Sequence, residues 1–469
     1  MENVHKIFGA PGCGKTTRII AILTEELKTT PPNRIAFVSF TRKGTYEGVE
    51  RAKVLYGLKD ADLPYFRTLH SIAFREGEYA KYDMISKLDY KEFSEALAMK
   101  FTGYYTEEFY NNDDKYLFVH FLKRNNPRMA QVYEDSVSAS CLRDVETNYA
   151  RFKKHKNVHD FTDIIERFVE AGEALPVDVA IIDEAQDLTT LQWRMCEVAF
   201  SNCKRVYVAG DDDQAIYEWS GADVDYFLNL PAVNNEILGK SYRLQRQTLD
   251  VAKRVAHKIK HRVDKAFDPL SDQGTIRAYN SLEDLDIAQG ETWYFLSRNN
   301  WFLSVYREFL KKRAKVFVDK DSLSFDQREV DAINAYEAAR KRGKMTDIEE
   351  VKLKLFLKED AQLSKPWFES LNFDAEQTTY YRDLVRTKAQ LKDRSITVNT
   401  IHGVKGGEAD NVVLMLDYTR AVSANMERNP DAELRCLYVA LTRAKKNLHI
   451  VYSHSKTGYD SIMREALNI

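Results

Sequence analysis

VHKIFGAPGCGKTTRIIAILTEEL, residues 4–27, decides how this chain is read. An apolar run predicts a buried strand over 4–8, and the periodicity of TRIIAILTEEL predicts a helix after it. Between them Gly9, Ala10, Pro11, Gly12, Cys13, Gly14, Lys15 and Thr16 match the spacing G-x-x-x-x-G-K-S/T. That spacing, set between strand and helix, makes a phosphate loop. Glycines let backbone N–H groups curl around phosphate oxygens, and the helix N-terminus adds positive partial charge. Lys15 is positioned by the pattern to neutralise β- and γ-phosphates and Thr16 to ligate Mg²⁺, with Thr17 counted among the nucleotide-binding residues.

Further apolar runs follow at 34–40, 179–183, 205–210, 293–297, 396–401, 411–416 and 447–453, most followed by a helical pattern. Continuously apolar strands alternating with helices predict α/β architecture with parallel sheets buried on both faces. Their grouping predicts two similar sheets. Two helix-rich blocks break the rhythm: an aromatic and charged one at 75–159, and a charged one at 326–390. We expect residues 1–74 with 160–235 to form the first α/β domain. Residues 236–325 with 391–469 form the second, each block being an insertion.

At 469 residues the chain is too long for one core. Its 69 basic and 71 acidic residues balance, which leaves a local basic groove possible and decides nothing about nucleic acid. Five cysteines (Cys13, Cys141, Cys196, Cys203, Cys436) without a CxxC pair point to a reduced compartment and no zinc site. The first residues lack the features of a signal peptide, and no run is long enough to span a membrane, so a cytoplasmic location is expected.

Asp183 and Glu184 open DEAQD (183–187) at the end of the apolar strand 179–183. In open α/β sheets ligands bind at the carboxyl ends of the strands. Asp183 is thus the candidate to hold Mg²⁺, and Glu184 to orient and deprotonate the attacking water.

After DEAQD come GDDDQAIYEWSGA (210–222), SYR (241–243), TIHGVKGGE (400–408) and YVALTRA (438–444), in that order. The chain resembles superfamily 1 DNA helicases of the UvrD/Rep/PcrA branch from Gly9 to about Tyr452, as a compact member. The resemblance implies two RecA-like domains that use ATP and Mg²⁺. It implies that Gln214 senses the γ-phosphate, Tyr242 stacks on adenine and Arg243 contacts the γ-phosphate. Glu408 would reach the nucleotide sugar and Arg443 would serve as an arginine finger. A guanidinium spreads donors over the charge of a transferring phosphoryl group, which suits that role.

The resemblance also implies a single-strand track through Phe40, Thr41, His70, Tyr217, Trp219, Arg298, Asn300 and His402. Aromatic faces stack on bases without reading sequence, at ~1–3 kcal/mol each. SFTRK (39–43) and RTLHSIAF (67–74) resemble the two short motifs that touch the strand, and HDFTDII (159–165) the return from the first insertion.

Four departures stand out. Relatives carry a glutamine-bearing segment upstream of the loop, whereas eight residues precede Gly9, so adenine selection is expected to rest on Tyr242. Ser220 stands where the family has an arginine, Gly407 and Ala409 replace bulky residues around Glu408, and the second insertion is short. The expected activity is 3′→5′ translocation on single-stranded DNA with unwinding at single-strand/duplex junctions. The alternatives are a translocase that strips proteins but unwinds weakly, or an ATPase subunit working with single-strand-binding, replication or repair proteins. YVALTRA lies near the end of the chain, so a nuclease activity is expected only from a partner.

Overall fold

The computed structural model describes residues 1, 3–40, 49–50, 52–54, 56–105 and 112–469. It divides into two compact units. One comprises Met1–Leu244, Ala256–Ser271 and Asn429–Arg435, and the other Gln245–Val255, Asp272–Arg428 and Cys436–Ile469.

The first unit is built on a five-stranded sheet: β1 (Val4–Gly9), β2 (Ile35–Ser39), β3 (Val179–Asp183), β4 (Arg205–Gly210) and β5 (Asn234–Leu238). The order is β2-β3-β4-β1-β5, and every pairing is parallel. Parallel pairing needs helical crossovers, which cover both faces, so β2 and β3 are buried at every position. The helix Lys15–Glu26 buries Ile19, Ile22, Leu23 and Glu26, one face at three- and four-residue spacing. The buried Glu26 carboxylate is paired with Arg205 at 2.6 Å and accepts from the Tyr207 hydroxyl at 2.8 Å. Ile19→Ala would cost about 2–5 kcal/mol, the usual range for emptying such a site.

Register sets the working edge of this sheet. Phe8 lies beside Gly210, Gly9 beside Leu238 and Ser39 beside Asp183. The loops after all five strands therefore leave from one carboxyl edge.

The second unit holds β6 (Thr275–Tyr279), β7 (Trp293–Ser297), β8 (Val318–Asp319), β9 (Ser322–Leu323), β10 (Ile396–Thr400), β11 (Ala409–Met415) and β12 (Ala444–Val451). Their order is β6-β12-β11-β7-β10-β8-β9, parallel except for the small β8–β9 hairpin. β5 and β6 were not among the strands expected from sequence. Both are edge strands whose residues are mostly exposed (NNEIL and TIRAY), so the apolar signal of a buried strand is missing.

The helical blocks are present. Helices Lys87–Leu97, Asp114–Asn125, Pro127–Glu134 and Ala139–Lys156 make up most of the first. It is fastened to the returning helix Phe161–Ala171 by half-buried charges: Arg124 binds Asp160, Asp163 and Glu166, and Lys153 binds Asp160 and Asp163. The second block, including helices Gln327–Arg342 and Ala375–Arg386, packs an aromatic core of its own around Tyr336, Trp367, Tyr380 and Tyr381. Among the described residues no helix is long and apolar enough to cross a membrane.

Candidate nucleotide and nucleic-acid site

The phosphate loop is shaped by its glycines. Gly12 and Gly14 have φ of 73° and 78°, left-handed values that side chains resist. A Cβ on Gly12 would lie 2.4 Å from Cβ of Arg243. The loop thus leaves no room for anything but glycine there, because SYR is laid directly against it. Tyr242 donates its backbone N–H to the Gly12 carbonyl at 2.8 Å, and the Ser241 hydroxyl donates to the Pro11 carbonyl at 3.1 Å. The Tyr242 ring stays 64 % exposed beside Gly14, with the Lys240 ammonium 5.5 Å from its centre. Lys15 donates to the Gly9 carbonyl at 2.6 Å, within the loop itself. Ala10, Pro11 and Cys13 are buried, while Thr16 is half-buried and Thr17 exposed. Burial pushes the Cys13 thiol up to about 11, so it stays protonated and inert.

On the same edge, Asp183 ends β3 and accepts the Glu184 N–H at 2.9 Å. Glu184 is in the left-handed region (φ 52°, ψ 40°), which costs about 1–3 kcal/mol for a residue with a Cβ. Its carboxylate accepts from Gln186 Nε2 at 2.6 Å. Gln186 Oε1 in turn accepts the Asp211 N–H at 3.0 Å, joining DEAQD to GDDDQ. Gln214 donates to Asp211 at 2.7 Å. Among the described residues there is no cluster of three or more His, Cys, Asp or Glu side chains suited to a metal. A hydroxyl and one carboxylate, Thr16 and Asp183, nonetheless fit Mg²⁺, which keeps waters and takes phosphate oxygens as its remaining ligands.

The residues of the first unit expected to form the strand track differ from one another in burial and contacts. Phe40 and Tyr217 face each other at 5.5 Å, both partly exposed. Trp219 instead packs toward Phe118 of the first helical block, 6.2 Å between ring centres. The Ser220 hydroxyl turns inward and donates to the Tyr217 carbonyl at 2.9 Å. Burial lowers His70 to about 4, so it is a neutral imidazole at pH 7. Phe161, which the sequence reading did not single out, lies edge-on to His70 at 5.7 Å and is 60 % exposed. Thr41 lies outside the described residues.

In the second unit, Arg298 and Asn300 follow β7, and His402 follows the neighbouring β10. Arg298 is buried, and Asn300 and His402 are half-buried. Trp301, also absent from the sequence reading, is 77 % exposed beside Asn300. An exposed tryptophan next to polar neighbours was the signal available for it in the structure; in sequence it looks like any helix-flanking apolar residue. Arg443 is 1 % exposed and held by three acceptors: the Val439 carbonyl at 3.0 Å, the Gly407 carbonyl at 3.1 Å and the Thr442 hydroxyl at 3.2 Å. TIHGVKGGE and YVALTRA are thereby brought together, with Glu408 exposed and 3.9 Å from Lys445.

Comparison with known proteins bears on this arrangement. The family model described as UvrD/REP helicase N-terminal domain matches residues 1–233, and that described as UvrD-like helicase C-terminal domain matches residues 395–451. The ATP-dependent DNA helicase PcrA of Staphylococcus aureus is 26% identical over 313 residues, covering 60% of this chain and 42% of the relative. The protein of the same name from Staphylococcus epidermidis is 25% identical over 313 residues, with the same coverage. The chain thus spans 42% of the length of these curated relatives. A solved arterivirus nonstructural protein 10 (helicase) aligns over 99% of this chain and 62% of its own at 10% identity, with a TM-score of 0.37. A phosphate loop, strand-end acids, GDDDQ and SYR on one parallel-sheet edge, with matches at both ends of the chain, place it in a family: it belongs to the UvrD/REP helicases.

Proposed function

We propose that this protein is an ATP- and Mg²⁺-dependent DNA motor that moves 3′→5′ on single-stranded DNA and opens duplex at a junction. The observation that carries the reading is the single edge of the first sheet. There the phosphate loop is hydrogen-bonded to the SYR segment, and Glu184 is joined to Gln214 through Gln186 and Asp211, with the Phe40–Tyr217 ring pair beside them.

In this reading the loop amides, with Lys15, bind the phosphates, and Thr16 and Asp183 hold the metal, which neutralises phosphate charge. Glu184 orients water for in-line attack. Gln214, Arg243 and Arg443 stabilise the charge that develops on the γ-phosphoryl group, Tyr242 stacks on the base and Glu408 approaches the sugar. Phe40, Thr41, Tyr217 and Trp219 line the strand track with His70, Arg298, Asn300 and His402, and Phe161 and Trp301 add exposed ring faces. Opening a base pair costs about 1.4 kcal/mol in stacking, small beside an ATP-driven step. Residues 75–159 and 326–390 are taken as insertions that support the two RecA-like domains.

The test is ATP hydrolysis with and without single-stranded DNA, followed by strand displacement on 3′- and 5′-tailed duplexes. We expect DNA-stimulated turnover and unwinding from the 3′ tail. Turnover indifferent to DNA, or unwinding from the 5′ tail alone, overturns the reading.

A further inference from the structure

The first helical block carries a groove that the site described above does not use. The helix Lys87–Leu97 and residues 99–104 enclose about 550 Å³. Lys87, Lys91 and Lys100 line it, with Glu95 as its one lining carboxylate, and Tyr90 and Tyr104 supply rings.

The lysines are placed at an electrostatic disadvantage. Lys87 opens its helix, where the macrodipole disfavours a cation, and Lys91 follows one turn later, where like charges repel. Asp89, the acid of that first turn, is engaged by the Ser86 N–H and hydroxyl at 2.8 and 2.6 Å. Among the described residues, the ion pairing of the three lysines is one long contact, Lys91 to Glu95 at 4.0 Å. An anion in the groove would relieve both penalties.

The Tyr104 ring is held outward by a fixed backbone. It is 61 % exposed, with the Lys87 ammonium 5.5 Å from its centre. Just before it, Thr102 donates its N–H and its hydroxyl to Asp114, each at 2.8 Å. The Lys100 N–H donates to Asp113 at 2.8 Å and the Phe101 N–H to the Ser94 hydroxyl at 2.9 Å. Gly103 has φ of 70°, and a Cβ there would lie 2.3 Å from the Tyr90 ring. A ring serving only the core would be turned inward by the same turn.

Lysines around an open ring suit single-stranded nucleic acid, whose phosphates meet cations and whose unpaired bases stack on aromatic faces. A duplex would offer phosphates alone, since its bases already stack on each other. The groove also adjoins the track: Trp219 lies 6.2 Å from Phe118, Phe118 lies 5.7 Å from Tyr105, and Tyr105 follows Tyr104 in the chain. In the functional reading one strand runs past Phe40 and Tyr217, and opening the duplex frees a second. We propose that this groove holds the displaced strand, with Tyr104 stacking on a base and Lys87, Lys91 and Lys100 on its phosphates. The proposal rests on that functional reading.

The experiment compares wild type with Tyr104→Ala and the triple variant Lys87→Gln/Lys91→Gln/Lys100→Gln. Affinity is measured without ATP on a duplex with a 3′ single-stranded tail, and on a fork that adds a noncomplementary 5′ tail to the same duplex. Wild type should prefer the fork. Tyr104→Ala should lower fork affinity about fivefold, the equivalent of ~1 kcal/mol for one stacked base. In the triple variant the fall of log affinity with log salt should become shallower by about 2 on the fork, since each single-strand phosphate contact contributes about 0.7. On the 3′-tailed duplex neither variant should change affinity or salt slope. Melting and strand-stimulated ATP turnover should stay at wild-type values, because all four side chains are exposed.

Equal wild-type affinity for the two substrates overturns the proposal, as does a fork preference that survives both variants. Equal weakening on both substrates also overturns it and makes the groove a duplex contact. A wild type whose turnover single strands do not stimulate overturns the functional reading and this proposal with it. A stimulated wild type without fork preference overturns the groove's role alone.

Discussion

The two parallel sheets carry their candidate residues on the same carboxyl edge, held by different means. On the first, the candidate groups sit on an unusually shaped backbone: a loop with left-handed Gly12 and Gly14, a left-handed Glu184, and a lysine whose ammonium reaches the loop's own Gly9 carbonyl. Around it Tyr242 stays exposed. On the second, two of the candidate groups are side chains already buried. Arg443 is buried on three acceptors and Arg298 is buried at the end of β7. Backbone amides suit an anion that must be wrapped, because many weak donors converge without clashing. A guanidinium that must stabilise charge at one point is better fixed in advance, since its orientation then costs nothing at the moment of reaction. The helical blocks differ in the same spirit. The first is bolted to its neighbouring helix by ion pairs, and the second carries its own aromatic core.

The sharpest way to break this comparison is to remove the locked cation. Arg443→Ala should lower ATP turnover by about 10³–10⁵-fold, the range an arginine finger supplies. Melting should fall modestly, since orphaning its acceptors costs about 1–3 kcal/mol. A collapse of stability with no separate kinetic defect would make Arg443 a structural residue. Lys15→Ala removes the side-chain cation of the phosphate loop in the first unit and should cost roughly 10²–10³-fold in turnover. Melting should stay unchanged, because only one bond to Gly9 is lost; a melting shift as large as that of Arg443→Ala would erase the contrast.

Trp301→Ala probes the exposed face of the second edge. Loss of one stacking ring should weaken oligonucleotide affinity by about 5- to 150-fold, the equivalent of ~1–3 kcal/mol. Intrinsic fluorescence in a Trp219→Phe background should report the same event, because Trp193, Trp293 and Trp367 are buried. Unchanged affinity would remove Trp301 from the track.

The smallest effect is on pH. His70 in the first unit and His449 in the second are each held at about 4, chiefly by burial. Unfolding releases them to ordinary values near 6.5, so below that pH the unfolded chain binds more protons. Stability is therefore full above pH ~6.5 and falls as pH drops toward 4, by about 2 kcal/mol per histidine at pH 5. Melting from pH 7 to 5 with His70→Asn and His449→Asn, each flattening the slope by a similar share, would put the two units on equal footing.

Much of this molecule was legible before any coordinates. The runs 179–183, 205–210 and 293–297 coincide with β3, β4 and β7, because strands buried on both faces must be apolar at every position. The phosphate loop was legible for a related reason: wrapping an anion needs glycines, lysine and threonine at fixed spacing within one short stretch. β5 and β6 were not legible, since these two edge strands are mostly exposed and leave no apolar mark, unlike the edge strand β2, which is buried throughout. Nor could the sequence place Arg243 against Gly12, join Gln186 to Asp211, or bring Lys265 and Arg435 to the acids of 211–218. Those contacts join residues from 25 to 230 or so positions apart. The sequence by itself determined the local chemistry and the α/β alternation, which depend on neighbours along the chain. Only the tertiary structure decided which distant cations and carbonyls complete each site, because a buried charge is defined by what surrounds it in space.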